Sequence, residues 1–285
     1  MPTFSTPDPI AVQVAIVGDV RITASDRDDT VVTVAPRDPA KEADITAARD
    51  TVVECTDRHL TVRTPKHWTR FTPFGGYSAV SVAVDVPTGS RLEAATDLGD
   101  IHTEGELGPC QVKSGMGDLR LDHTGELRAK TGHGDIRVDD VVGAANLTTA
   151  SGDIVAGTVT GALVVKNSNG ATELGRVGGE LQVKAANGDI VVGAAEASVA
   201  AKTANGDVRV GETRSGTVVV QSAAGDLEVG VLDGVTAWLD LHSRFGDVRN
   251  ELEDADGPAA GQGTVEVRAT TAAGDIVIRR VVHTG

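Results

Sequence analysis

Apolar and polar residues alternate with period two through much of this chain. Ile136 and Val138 flank Arg137, Ile190 and Val192 flank Val191, Val208 and Val210 flank Arg209, and Ile276 and Ile278 flank Val277. Period two is the mark of a short strand with one buried face. Each of these runs follows a Gly-Asp pair. The pair and its apolar successor recur at Gly99-Asp100-Ile101, Gly117-Asp118-Leu119, Gly134-Asp135-Ile136, Gly152-Asp153-Ile154, Gly188-Asp189-Ile190, Gly206-Asp207-Val208, Gly225-Asp226-Leu227, Gly246-Asp247-Val248 and Gly274-Asp275-Ile276, with a worn copy at Gly170-Ala171-Thr172. A second glycine stands ten positions before most of these Asp residues, as at Gly108, Gly125, Gly143, Gly179 and Gly216. It opens another alternating run: Leu127 and Ala129, Leu163 and Val165, Leu181 and Val183, Val218 and Val220. The repeat of about 18 residues therefore reads turn, strand, turn, strand.

Two short strands cannot bury their own apolar faces, so the units must stack. The expectation is an all-β, single-domain, right-handed parallel β-solenoid with about 18 residues per rung. About ten rungs at strand spacing give a length of roughly 45–50 Å. The hand follows the preference for right-handed crossovers. Glycine supplies a positive φ in the turns, and Asp accepts backbone N–H groups in the same turn. Asp100, Asp118, Asp135, Asp153, Asp189, Asp207, Asp226, Asp247 and Asp275 thus read as a structural turn column.

Three segments follow from the rhythm. Residues 1–98 form an irregular, strand-rich N-terminal part and cap, with an isolated early triplet at Gly18-Asp19-Val20 and a short helix within 38–50. Residues 99–249 carry the regular rungs, and 250–285 an acidic loop and a final rung over Thr264 to Val282. Trp68, Phe71, Phe74 and Tyr77 place four of the chain's seven aromatic residues in one loop. That loop is either a cap over the open end of the solenoid or a contact for a partner.

Composition narrows the function. The net charge of −15 opposes nucleic acid and anionic lipid as direct partners. No apolar run approaches the length of a membrane span, so no direct membrane insertion is expected. The N-terminus from Met1 to Asp8 has neither a basic region nor an apolar one, so a cytoplasmic protein is expected, with peripheral envelope association as the alternative. Two cysteines make no disulfide framework, and Cys110 falls on a core position.

Half-repeats nine residues apart invite comparison with calcium-binding nonapeptide solenoids. Here the alternate half-turns offer Glu126, Ala144, Ala162, Glu180 and Ser198, too few oxygens for a metal column. No cofactor is expected. Lysines form a second column, five residues before the turn Asp, at Lys113, Lys130, Lys184 and Lys202, with Lys166 before the worn copy. This column is either a solvated charge ladder or a flat face for an extended polymer such as a glycan. Nucleotide-binding, zinc-protease and serine-hydrolase motifs are missing. His102, His123 and His133 near the early turns leave a carbohydrate-active β-helix enzyme as the least favoured reading.

The run Val82-Ala83-Val84-Asp85-Val86-Pro87, then Thr96-Asp97-Leu98-Gly99-Asp100-Ile101, the later rungs, and the late Gly246-Asp247-Val248-Arg249-Asn250 and Ala273-Gly274-Asp275-Ile276 together resemble a bacterial family. It is the β-strand-repeat domain of unknown function DUF4097, whose members are often labelled adhesins. The resemblance covers nearly the whole chain. It implies a parallel β-solenoid without catalysis, with some members similar to proteins of cell-envelope stress systems. The chain is thus expected to be a non-enzymatic scaffold or binding module, its partner a protein or a glycan. An envelope-associated, adhesin-like binding protein is the second reading.

Overall fold

The computed structural model describes residues 1–65, 78–252 and 263–282. Apart from one helix, Glu42–Asp50, its regular elements are strands, and they stack as the alternation requires. The chain divides into two compact units, Met1–Asp140 and Val141–Gly285.

The second unit holds most of the regular rungs. The first strands of successive repeats, Leu163–Asn169, Leu181–Asn187, Val199–Lys202 and Gly216–Ala224, pair in parallel in one sheet. The second strands, Ile154–Val159, Thr172–Val177, Ile190–Ala195, Val208–Thr213 and Leu227–Leu232, do the same in the other. Residues one repeat apart lie opposite each other: Leu163 faces Leu181, which faces Val199, and Ile154 faces Thr172, which faces Ile190. The inward residues of the two sheets form the core, and Leu163, Leu181, Val218, Ile154, Ile190 and Leu227 are wholly buried. A one-residue slip would turn all of them to solvent, so burial fixes the register.

Glycine holds the turns for two reasons. At Gly206 φ is 137°, and a β-carbon would also come within 2.3 Å of the Gly188 carbonyl oxygen in the neighbouring rung. Close stacking, as well as backbone conformation, excludes a side chain there.

The segment Thr264 to Val282, expected to close the stack, is last in sequence but not in space. Strand Thr264–Ala273 lies between Gly216–Ala224 and Thr236–Phe245, parallel to both. Its companion Ile276–Val281 lies likewise between Leu227–Leu232 and Val248–Asn250. The chain thus lays down the end rung first and then wedges its final rung beneath it. The wedge is the more apolar of the two: Val265, Val267, Ala269, Ile276 and Ile278 are fully buried, whereas Leu239 and Leu241 of the end rung stay half-exposed.

The first unit shows the same device. Strands Ala11–Ile16 and Gly18–Ser25 sit between segments far later in sequence. Gly18–Ser25 pairs with Val80–Pro87 on one side and Ile101–Glu104 on the other. The triplet that looks isolated in sequence therefore joins the column in space. The N-terminal sheets finish in antiparallel strands, Asp29–Pro36 with Thr3–Ser5 and Val52–Thr56 beside His59–Arg63. The helix packs beside Asp29–Pro36, and its buried Asp44 carboxylate accepts from the N–H groups of Asp38 at 3.1 Å and Ala79 at 3.0 Å.

Candidate functional site

Three columns of side chains run along the stacked rungs. The acidic one is engaged with the backbone. Asp189 Oδ1 accepts the Asp207 N–H at 2.9 Å, and Asp207 Oδ1 accepts the Asp226 N–H at 2.8 Å. Asp226 then serves Asp275, and Asp275 serves Asp247, both at 2.8 Å. In the first unit Asp19 serves Asp100, Asp100 serves Asp118 and Asp118 serves Asp135. Each carboxylate therefore bonds to the neighbouring rung, not within its own turn as the sequence reading has it. The reason is that the Asp N–H points along the stack, beside a carbonyl facing the same way: Ile190 N–H donates to Asp207 O at 2.9 Å. The worn copy receives a bond, Ala171 N–H to Asp153 Oδ1 at 2.8 Å, but has no carboxylate to pass one on.

The second column escaped the sequence reading. Four residues before most turn Asp residues stands a small polar side chain that points inward, although Ala185 holds that place before Asp189. Ser114 donates to Gly99 O at 3.0 Å, Thr131 to Gly117 O at 3.0 Å, Ser222 to Gly206 O at 3.0 Å and Thr271 to Gly225 O at 3.0 Å. These groups satisfy turn carbonyls inside the core. In the worn repeat Asn167 takes the place and donates to Gly152 O, Gly170 O and Ala171 O. The signal in the sequence is a hydroxyl at a fixed offset, hidden because Thr and Ser also suit any strand.

The third column is basic and lies on the outer face of the first-strand sheet. In the second unit Lys166, Lys184 and Lys202 stand opposite one another, and Gln221, Thr270 and His242 continue the line. Among the described residues no carboxylate comes within ion-pair distance of these three lysines. On the other sheet of this unit Arg209 pairs with Glu228 at 3.3 Å and Arg176 with Glu196 at 3.3 Å. Adjacent strands are about 4.8 Å apart, so the exposed ammonium groups stack at a spacing where they repel. Beside them runs a groove of about 980 Å³, whose walls include Lys184, Lys202, Gln221, His242 and Arg244 and whose lining includes Ala186, Ala204, Ala223 and Ala272. An asparagine ladder runs alongside, with Asn187 Nδ2 donating to Asn169 Oδ1 and Asn205 Nδ2 to Asn187 Oδ1, both at 2.9 Å. Lys113 and Lys130 form the corresponding pair in the first unit.

The histidines do not converge. His102 contacts Glu104 at 2.9 Å and His123 contacts Asp140 at 3.1 Å, while His133 lies on the opposite sheet, beside Met116. Among the described residues no group of three or more His, Cys, Asp or Glu side chains is arranged to hold a metal. Cys110 is buried opposite Leu92 and Leu127, and desolvation pushes its thiol up to about 12. Trp68, Phe71, Phe74 and Tyr77 lie outside the described residues. The exposed aromatics that are described, Trp238 and Phe245, sit on the end strand.

The model of the Toastrack DUF4097 family matches residues 8–279. The chain belongs to this family. No curated protein matches this Toastrack chain. Solved structures with a similar course include a candidate adhesin from Bacteroides fragilis, with 12% identity over 98% of this chain and 95% of that one and a TM-score of 0.41. A candidate adhesin from Parabacteroides distasonis shares 14% identity over 98% and 95% of the two chains, with a TM-score of 0.33. A candidate lipid-binding protein from the same organism shares 13% over 98% and 95%, with a TM-score of 0.32. No described helix of the Toastrack chain is long and apolar enough to cross a membrane.

Proposed function

We propose that this Toastrack chain is a non-catalytic binding module whose lysine groove takes an extended acidic glycan. The carrying observation is the stack of Lys166, Lys184 and Lys202, without carboxylate partners, in a chain of net charge −15. Cations held in line at strand spacing favour a polymer with regularly placed anions. The groove's amide and hydroxyl groups, Gln221 and Thr270, suit a polyhydroxylated chain, and its alanine methyls suit the apolar faces of sugars. Aromatic stacking platforms of the kind that hold single-stranded nucleic acid do not line it. Affinity then rests on charge and falls with salt. The acidic column is assigned to holding the stack, since its Oδ1 atoms already accept N–H groups. A ligand of this class suits work at the cell envelope, the second setting raised by the sequence.

The test is binding to polygalacturonate, with its methyl ester as the uncharged control. The native chain should bind the acid form only. Lys166→Gln, Lys184→Gln and Lys202→Gln together should weaken binding at least about tenfold, or about 1.4 kcal/mol. Equal binding by the triple variant, or equal binding of the ester, overturns the reading.

A further inference from the structure

Among the described residues, strand Thr236–Phe245 of the end rung lies at the edge of its sheet and is paired on one side only, with Thr264–Ala273. It is ten residues long and contains no proline. Edges of this kind are templates for another strand, and soluble proteins normally shorten, twist or cover them. Thr236 N–H donates inward to Gly263 O, so ladder alternation turns the N–H and C=O groups of Ala237, Leu239 and Leu241 to the open side. Leu239 and Leu241 are half-exposed, whereas Val267 and Ala269, their partners on the covered strand, are fully buried. Trp238 is 65% exposed on the outer face.

We propose that this edge pairs with the same edge of a second copy, antiparallel, about a two-fold axis at Leu241. The sequence of the strand is self-complementary in that register. Leu241 meets Leu241 of the second copy, and its outward N–H and C=O make the central hydrogen-bonded pair. Asp240 falls opposite His242, opposite charges when the imidazole is protonated. Trp238 falls opposite Arg244, a cation over an indole face, and each of these contacts occurs twice by symmetry. Within one chain Asp240 already bonds His242 at 2.9 Å and Arg244 already lies 5.4 Å from the Phe245 ring, so these groups are poised at the edge. A shift of two residues in one direction would instead set Asp240 against Asp240, which disfavours that register. The pairing continues the sheet across the axis and gives the free edge the hydrogen bonds it lacks. It rests on the edge strand, whose His242 and Arg244 also line the lysine groove, and its test reads association without any groove ligand.

The experiment is light scattering on the full chain after size exclusion, at about 100 µM. The expected mass is twice 29.2 kDa, and Leu241→Lys, which sets two ammonium groups together on the axis, should return it to 29.2 kDa while keeping a single cooperative melting transition. Should that variant fail to fold, cross-linking decides. In a Cys55→Ser background, Leu241→Cys should oxidise to a covalent dimer, because directly opposed hydrogen-bonded residues lie about 5.5 Å apart at Cα, within disulfide reach. Asp240→Cys in the same background should not. A monomeric native chain, a folded Leu241→Lys dimer, or equal cross-linking at the two positions overturns the proposal.

Discussion

Replacement of Asp207 separates the two forces acting on the acidic column. Its Oδ1 accepts the Asp226 N–H at 2.8 Å, and its own N–H donates to Asp189 at 2.9 Å. A hydrogen bond to a charged acceptor contributes about 1.5–3 kcal/mol net, and partial exposure of Asp207 points to the lower end. Against this stands repulsion from Asp189 and Asp226. At about 4.8 Å in water-like dielectric each neighbour costs about 0.9 kcal/mol. Screening at 0.15 M ionic strength, with a Debye length of about 8 Å, roughly halves that, to about 1 kcal/mol for the pair. Asp207→Ala loses the bond and the repulsion together, so it should destabilise by about 0.5 kcal/mol at that salt. At about 1 M salt the repulsion nearly vanishes, and the loss should grow to about 1.2 kcal/mol. Asp207→Asn keeps an acceptor without the charge and should match or slightly exceed the native chain at low salt. Urea unfolding of the three proteins at both salt concentrations is the assay. An Asn variant as weak as the Ala variant, or an Ala penalty that shrinks with salt, would refute the reasoning.

Three further outcomes are expected. Ile136→Asp, at a fully buried site, should cost more than about 3 kcal/mol and unfold the chain, whereas Arg137→Gln, at a half-exposed position on the outer face where the side chain pairs with Asp135, should change stability by less than about 1 kcal/mol; thermal melts compare them. Melting curves in excess calcium and in chelator should coincide, because the turn carboxylates are engaged with the backbone; a rise of about ten degrees or more in calcium would make the column a metal site. Cys110 should resist a thiol reagent in the folded chain and react once it is unfolded, while half-exposed Cys55 reacts in both states. The same burial has a pH signature: the unfolded Cys110 thiol ionises near 9.0 and the folded one near 12, so the unfolded state binds fewer protons between them and stability falls as pH rises through that window.

The phase of the strands is legible because burial acts on every second residue, and Leu163, Leu181 and Ile190 declare their faces without reference to neighbours. The turns are legible for a similar reason, since Gly206 meets a constraint set by its own backbone and by the rung beneath it. Spatial order is another matter. Every rung offers the same turn geometry and the same parallel edge, so nothing local to Gly18 says that it lies beside Gly99, and nothing local to Thr264 says that it slides under Thr236. Those placements depend on how well whole rungs bury, as Val267 and Ala269 do and Leu239 and Leu241 do not. The lysine column is visible as a periodic position. Its lack of carboxylate partners is not visible, because ion pairing depends on which strands become neighbours.

The wedged final rung bears on how the protein is made. The ribosome releases Thr236–Phe245 before the strand that must lie beneath it, so that segment waits without its native neighbour until Thr264–Ala273 emerges. In a stack laid down in order, a premature stop near the end deletes one rung and leaves the rest seated. Here a stop after Asn250 removes the strands Thr264–Ala273 and Ile276–Val281 and also strands the segment before them, which pairs with no other strand among the described residues. Two rungs are lost for the synthesis of one. A product cut after Asn250 thus carries whole strands without their native neighbour, the kind of surface that chaperones and proteases recognise.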